Sequence, residues 1–260
     1  MVKASCRKRA FLKGLPYFLL PVAGLAQSSP PGGGTPARLP RASDVIERHI
    51  EATGGRAALQ KISSRDVWAR YEIPGRHLRG EVRILSARPD RLVIKTEYPD
   101  LGVAVTGFDG SVGWTTAPGA RPALVRNGAL ADLHADALFD RYDEDNLLSA
   151  ETIEIADFEG RPCVKLRIVR VPGRESFEYF DVATGLFAGS VARRETDKGP
   201  VTMRTIVSRY QLEDRVLIPH LIRIRSGGVE EIVTLMRVVD NAVSPSVFVP
   251  PPGLRPAGNP

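Results

Sequence analysis

Apolar and polar residues alternate along most of this chain. Residues 66–73, 78–87, 91–98 and 103–108 are successive β-rich runs, and a period of two is the signature of a half-buried strand. Asp109-Gly110, between Phe108 and Ser111, is a two-residue hairpin signal. A second series runs to the C-terminus, punctuated by Glu159-Gly160, Pro172-Gly173, Thr184-Gly185, Lys198-Gly199-Pro200, Asp214-Arg215 and Gly227-Gly228. Long strands joined by such short turns predict an antiparallel meander.

Two stretches change period. Val45, Ile46, His49 and Ile50 share one helical face. Asp44, with Glu47 three residues on, reads as its cap. Gly54-Gly55 breaks the helix, and residues 57–62 predict a second short one. Residues 128–149 also read as helical. Leu130, Leu133, His134, Ala137 and Leu138 form an apolar stripe there. Asp132, Asp136, Asp140 and Asp143 line the other side. No calcium-loop pattern accompanies these acids, so they read as a solvated face.

Several strands are apolar on both faces. Between residues 230 and 239, Ile232, Thr234, Met236 and Val238 alternate with Val233, Leu235 and Val239. Residues 161–171 alternate more cleanly, with Val164, Leu166 and Ile168 opposite Lys165 and Arg167. A single sheet with one face in water would not need two-sided strands; a curved sheet wrapped around something apolar would. The fold class expected is mainly β (α+β).

The start of the chain is of another kind. Lys3, Arg7, Lys8, Arg9 and Lys13 precede a modest apolar run over residues 14–25, and Gly24-Leu25-Ala26 supplies a small-residue cleavage site. Residues 1–26 therefore read as an export signal, too short for a membrane span of about 20 apolar residues. Lys8-Arg9-Ala10-Phe11-Leu12-Lys13 resembles a twin-arginine signal with its first arginine replaced; an ordinary Sec signal is the alternative. Residues 27–41, rich in Pro and Gly, read as a flexible linker, and residues 42–260 as one folded domain in the periplasm. Removing the signal takes five basic and no acidic residues, bringing the net charge from +6 to about +1. A nucleic-acid partner, which needs a clustered basic face, is set aside. Cys6 leaves with the signal, so Cys163 has no disulfide partner and reads as a small core residue.

The chain has no Gly-x-Ser-x-Gly, His-Glu-x-x-His, Cys-x-x-Cys or phosphate loop. His49, His77, His134 and His220 are scattered singly. No enzyme, cofactor or metal is expected.

Four ordered segments carry a resemblance. They are Gly80 leading into Arg88-Pro89-Asp90-Arg91; Asp109-Gly110 with Trp114 and Pro118; Phe180-Asp181 with Thr184-Gly185-Leu186; and Val247-Phe248-Val249-Pro250-Pro251. Together they resemble the periplasmic lipoprotein carriers (LolA/LolB-like, outer-membrane lipoprotein-sorting proteins). The resemblance implies an incomplete β-barrel, a strongly curved antiparallel sheet with helices as a lid over an apolar cavity. It implies acyl chains or lipoproteins as ligand, a membrane transfer partner and a monomer. It also implies that Arg88 latches the lid by donating to helix ends; a plain strand-end cation is the alternative. Cavity candidates are Trp68, Leu92, Ile94, Trp114, Leu133, Leu138, Ile206 and Ile222. A lipid-responsive regulatory or scaffold module that binds an envelope protein is the second functional reading.

Overall fold

A computed structural model describes residues 38–99, 101–196 and 199–254. The expected signal, and the linker up to residue 37, lie outside the described residues. Thirteen strands form one antiparallel sheet with the order β6-β5-β4-β3-β2-β1-β13-β12-β11-β10-β9-β8-β7. They are β1 (Ser64–Ile73), β2 (Leu78–Ala87), β3 (Arg91–Tyr98), β4 (Gly102–Phe108), β5 (Gly113–Thr116), β6 (Ala123–Leu124), β7 (Ser149–Phe158), β8 (Arg161–Val171), β9 (Arg174–Asp181), β10 (Phe187–Arg194), β11 (Val201–Glu213), β12 (Val216–Ser226) and β13 (Val229–Asp240). Two meanders meet where β1 pairs with β13, and β6 and β7 remain as unpaired edges. The sheet is an incomplete barrel with helices.

Turn chemistry sets the register. Glu159-Gly160 and Gly227-Gly228 each have positive φ at both positions, so β7–β8 and β12–β13 close through two-residue loops of the hairpin type. Asp109-Gly110 does not make the two-residue hairpin expected. Phe108 pairs with Gly113, leaving a four-residue loop. The Asp109 carboxylate accepts from the N–H groups of Ser111 and Val112 at 2.9 and 2.7 Å, and this side-chain turn widens the connection.

Among the described residues, three α-helices lie on one face of the sheet. Helix α1 (Ala42–Ala52) buries Val45, Ile46, His49 and Ile50; Val45, Ile46 and Ile50 pack on Val164, Leu166, Ile168 and Phe180. It begins two residues before Asp44, which therefore falls inside the first turn and is not its cap; Glu47 turns to Arg56 at 2.6 Å. Gly54 (φ +126°) ends it, and a Cβ there would stand 2.4 Å from the Arg215 carbonyl oxygen. The single turn α2 (Arg56–Leu59) follows.

Helix α3 is shorter than its pattern predicts. It spans Asn127–Ala137 and gives way to irregular chain with one 3-10 turn, Glu144–Asn146. Tertiary bonds replace helical ones: the Phe139 N–H donates to the Pro89 carbonyl at 3.0 Å. Leu133 and Ala137 pack on Leu92 and Phe108, with Leu130 and Val125 at the margin. The acidic face is solvated at Asp136 and Asp143, as expected, but not at Asp132 and Asp140. Asp132 is buried, and all four acids pair with arginines from other elements. Asp132 meets Arg174 and Arg194, Asp136 meets Arg194, Asp140 meets Arg88 and Asp143 meets Arg56.

Both faces of the sheet are packed. On the face opposite the helices, Phe158, Cys163, Tyr179, Ala188 and Ile206 form one cluster. Leu85, Val93, Trp114 and Phe248 form another, roofed by the C-terminal turn Pro245–Phe248. Cys163 is fully buried, and burial pushes its thiol up to about 11, as an inert core residue requires.

Candidate functional site

The helices leave a cavity of about 320 Å³ against the sheet, at the lower end of the range for ligand sites. Helix α1 supplies His49, Ile50 and Thr53, and α2 supplies Arg56 and Leu59. The segment after α3 supplies Phe139 to Asp143; Phe187, Tyr210 and Val216 to Pro219 come from the sheet. The Leu217 N–H donates to the Thr53 carbonyl at 3.0 Å, which ties the end of α1 to β12. The charged groups at the rim are already paired. Arg56 holds Glu47 at 2.6 Å and Asp143 at 3.6 Å, and Arg65 holds Asp240 at 2.7 Å.

Arg88 sits where β2 ends. Its Nε donates to the Ile62 carbonyl at 2.7 Å and its Nη2 to the Leu59 carbonyl at 3.0 Å. Its Nη1 pairs with Asp140, and the guanidinium lies 5.2 Å from the Phe139 ring centroid. One planar fork therefore joins a strand end, the exit of α2 and the segment after α3, a task that a point cation such as Lys could not perform.

An ionic cluster stands behind the cavity. Glu178 on β9 is 0 % exposed. It accepts from Arg170 Nη1 at 2.6 Å and from the Tyr142 hydroxyl at 2.8 Å, with Arg141 at 3.6 Å. Burial raises its pKa, but Arg170 and Arg141 outweigh burial and hold the carboxyl down at about 2. Arg170 also donates to the Arg141 carbonyl at 3.1 Å, so its fork is used twice. Arg141 lines both the apolar cavity and a small polar cleft of about 40 Å³ that contains Glu178 and Arg170. His49 is buried against the rings of Tyr142 and Phe180, at 5.1 and 5.3 Å, and its Nδ1 has no partner. Burial lowers its pKa to about 4, against the raising effects of the Gly185 backbone and Glu178.

The cavity candidates from sequence fall in two groups. Leu92 and Leu133 meet under α3, with Ile94 beside them. Ile222 packs beneath α2 with Ile218 and Val233, and Leu138 is buried just after α3. The register turns Trp68, Trp114 and Ile206 to the opposite face. Trp68 lies between Arg83 and Arg237, at 4.5 and 4.9 Å. None of the eight lines the 320 Å³ cavity; Leu133 alone borders a groove of about 580 Å³ beside α3. The sequence reading missed Tyr142, Arg170 and Glu178. An acid inside the apolar run Phe177-Glu178-Tyr179-Phe180 was the available signal, since a buried charge needs a partner.

No family model matches the sequence, and no curated protein matches it. Solved structures do match. A LolA superfamily protein from Nitrosomonas europaea aligns over 81% of this chain and 98% of its own, at 10% identity and a TM-score of 0.55. A putative outer membrane lipoprotein-sorting protein domain from Vibrio parahaemolyticus aligns over 80% and 95%, at 10% identity and a TM-score of 0.53. A DUF1329 family protein from Desulfovibrio piger aligns over 80% and 97%, at 9% identity and a TM-score of 0.53. With its open antiparallel sheet and helices on one face, the chain has a LolA-like fold.

Proposed function

We propose that this protein is an exported, periplasmic lipid-binding carrier that holds acyl chain in the cavity beneath α1 and α2. The observation that carries this reading is the cavity itself. Ile50, Leu59, Phe139, Phe187 and Ile218 line it, and Arg88 holds the exit of α2, one of the two helices that cover it. Apolar burial contributes roughly 0.8 kcal/mol per methylene, so a short stretch of chain gives useful affinity. Arg88 acts as the latch: its two carbonyl bonds hold the exit of α2 on the sheet, and breaking them frees the cover. The LolA-like fold supports the reading by analogy of architecture. Among the described residues no helix is long and apolar enough to cross a membrane. The test is to purify the protein from its native envelope, extract it with organic solvent and identify released lipid by mass spectrometry. Stoichiometric lipid is expected, and protein that is uniformly empty in native mass spectra would overturn the reading.

A further inference from the structure

We propose, on the basis of the lipid-binding reading above, that residues 139–142 are the gate of this cavity. The gate hangs on β9 through Tyr142 and is caught by one arm of Arg88 through Asp140. Lipid then enters at the seam between Leu59 and Phe139.

The four residues are tied to two walls. The Phe139 N–H donates to the Pro89 carbonyl at 3.0 Å, and the Asp140 carboxylate pairs with Arg88 Nη1. On the other side, the Arg141 carbonyl accepts from Arg170 Nε at 3.1 Å. The Tyr142 hydroxyl donates to Glu178 at 2.8 Å. Arg88 and Pro89 follow β2, whereas Arg170 and Glu178 lie on β8 and β9. Between those walls stand β1, β13, β12, β11 and β10. One short segment therefore bridges strands that are distant in the sheet, and all four of its residues line the cavity. No helix stiffens it, because α3 ends at Ala137 and the 3-10 turn starts at Glu144.

The two attachments differ in what their loss exposes. The side chains of Arg88 and Asp140 keep 28 % and 20 % of their exposure, so water reaches both once they part, and such a pair costs less to separate than a buried one. The side chains of Arg170 and Glu178 keep only 4 % and 1 %. Withdrawing Tyr142 and the Arg141 carbonyl would leave a buried donor and a buried carboxylate short of partners, which is strongly unfavourable. The Tyr142 end therefore stays and the Phe139 end moves. The tie from Asp143 to Arg56, at 3.6 Å between two well-solvated side chains, adds little resistance.

Arg88 also places the entrance. Its Nη2 holds the Leu59 carbonyl at 3.0 Å, and its guanidinium lies 5.2 Å from the Phe139 ring centroid. Leu59 and Phe139 both line the cavity and pack against the cluster that includes Ile62, Val67 and Ile218. Releasing Asp140 alone lets Phe139 turn away from Leu59, while the two carbonyl bonds keep α2 on the sheet. The gate opens and the helices stay in place.

Uptake and release of cis-parinarate and of a pyrene-labelled phosphatidylcholine are followed by stopped-flow fluorescence on delipidated protein. Asp140→Asn removes the catch. It should speed association and dissociation at least fivefold each, with Kd changed less than twofold. Tyr142→Phe keeps the ring and removes the pivot bond. It should speed dissociation alone and weaken Kd at least fivefold. The seam is tested in a protein carrying Leu59→Cys and Phe139→Cys, closed with a reducible bifunctional thiosulfonate; the buried Cys163 stays out of reach. Cross-linking should slow association at least tenfold, and reduction should restore it, so that each sample is its own control for folding. Association unchanged by the cross-link, or matching effects of Asp140→Asn and Tyr142→Phe, overturns the gate and leaves lipid carriage standing. Parent protein that binds neither probe overturns both.

Discussion

The indole of Trp114 occupies the space over Gly107, its partner across β4 and β5. A Cβ on Gly107 would come within 2.2 Å of Trp114 Cζ2. The absent side chain lets an indole that is 2 % exposed lie flat on the sheet beneath Phe248. Gly107→Ala should therefore lower the unfolding free energy by about 1–3 kcal/mol through overpacking, seen as an earlier denaturant midpoint. A midpoint equal to that of the parent protein would show that the indole relocates freely.

That pair also shows what the sequence conveys and what it withholds. Strand existence was legible: β2 and β3 have the expected bounds, and the turns at Glu159 and Gly227 carry their own backbone signal. The face of each strand was not legible. β4 is nearly apolar on both sides, and a slip of one residue inverts every side chain. Trp114 thus looks like a cavity residue until its register with Gly107 is known. The aspartates failed for a different reason. At helical spacing Asp132 and Asp140 look solvated, and only the fold brings Arg174, Arg194 and Arg88 to them. Arg88 needed the same tertiary information, because the Leu59 and Ile62 carbonyls leave no mark in side-chain sequence.

Arg88→Lys keeps the charge and removes the fork. Hydrogen bonds from a charged donor contribute about 1.5–3 kcal/mol each, and a lysine ammonium cannot reach two carbonyls and Asp140 in one plane. Amides of residues 42–62 should exchange more than tenfold faster, while those of β8 to β12 change little. Hydrogen–deuterium exchange with mass spectrometry reads this directly. Uniform acceleration across the sheet would mean that Arg88 stabilises the whole domain and has no specific hold on the helices.

Glu178 and Arg170 form a pair that is safe only when intact. Glu178→Leu or Arg170→Met alone leaves one charge buried, at a cost of about 3–5 kcal/mol. The double change Glu178→Leu with Arg170→Met removes both and should recover most of that loss. Denaturant midpoints of the three variants form a double-mutant cycle, and additive losses would show that the pair is not coupled.

His49 and Glu178 lie close together but titrate in different windows, and this makes the histidine separately visible. The folded protein keeps His49 neutral down to about pH 4, whereas its ordinary value is 6.5. Below 6.5 the unfolded chain binds a proton that the folded chain refuses, so stability falls as pH drops from 6.5 towards 4 and then stops responding to this group. The sign for Glu178 is set by a carboxyl depressed from 4.5 to about 2. Its contribution is complete above 4.5 and fades only as pH falls from there through 2. Between 4.5 and 6.5 the difference between parent and variant therefore belongs to the histidine. His49→Phe keeps a ring beside Tyr142 and Phe180, removes the unpartnered Nδ1 and removes the proton. Urea midpoints across that interval should decline with falling pH in the parent protein and decline less steeply in His49→Phe. The two stability curves should converge above 6.5, apart from a constant offset for the changed side chain. Parallel curves would mean that the imidazole is protonated in the folded state, with α1 open enough to admit water beside it.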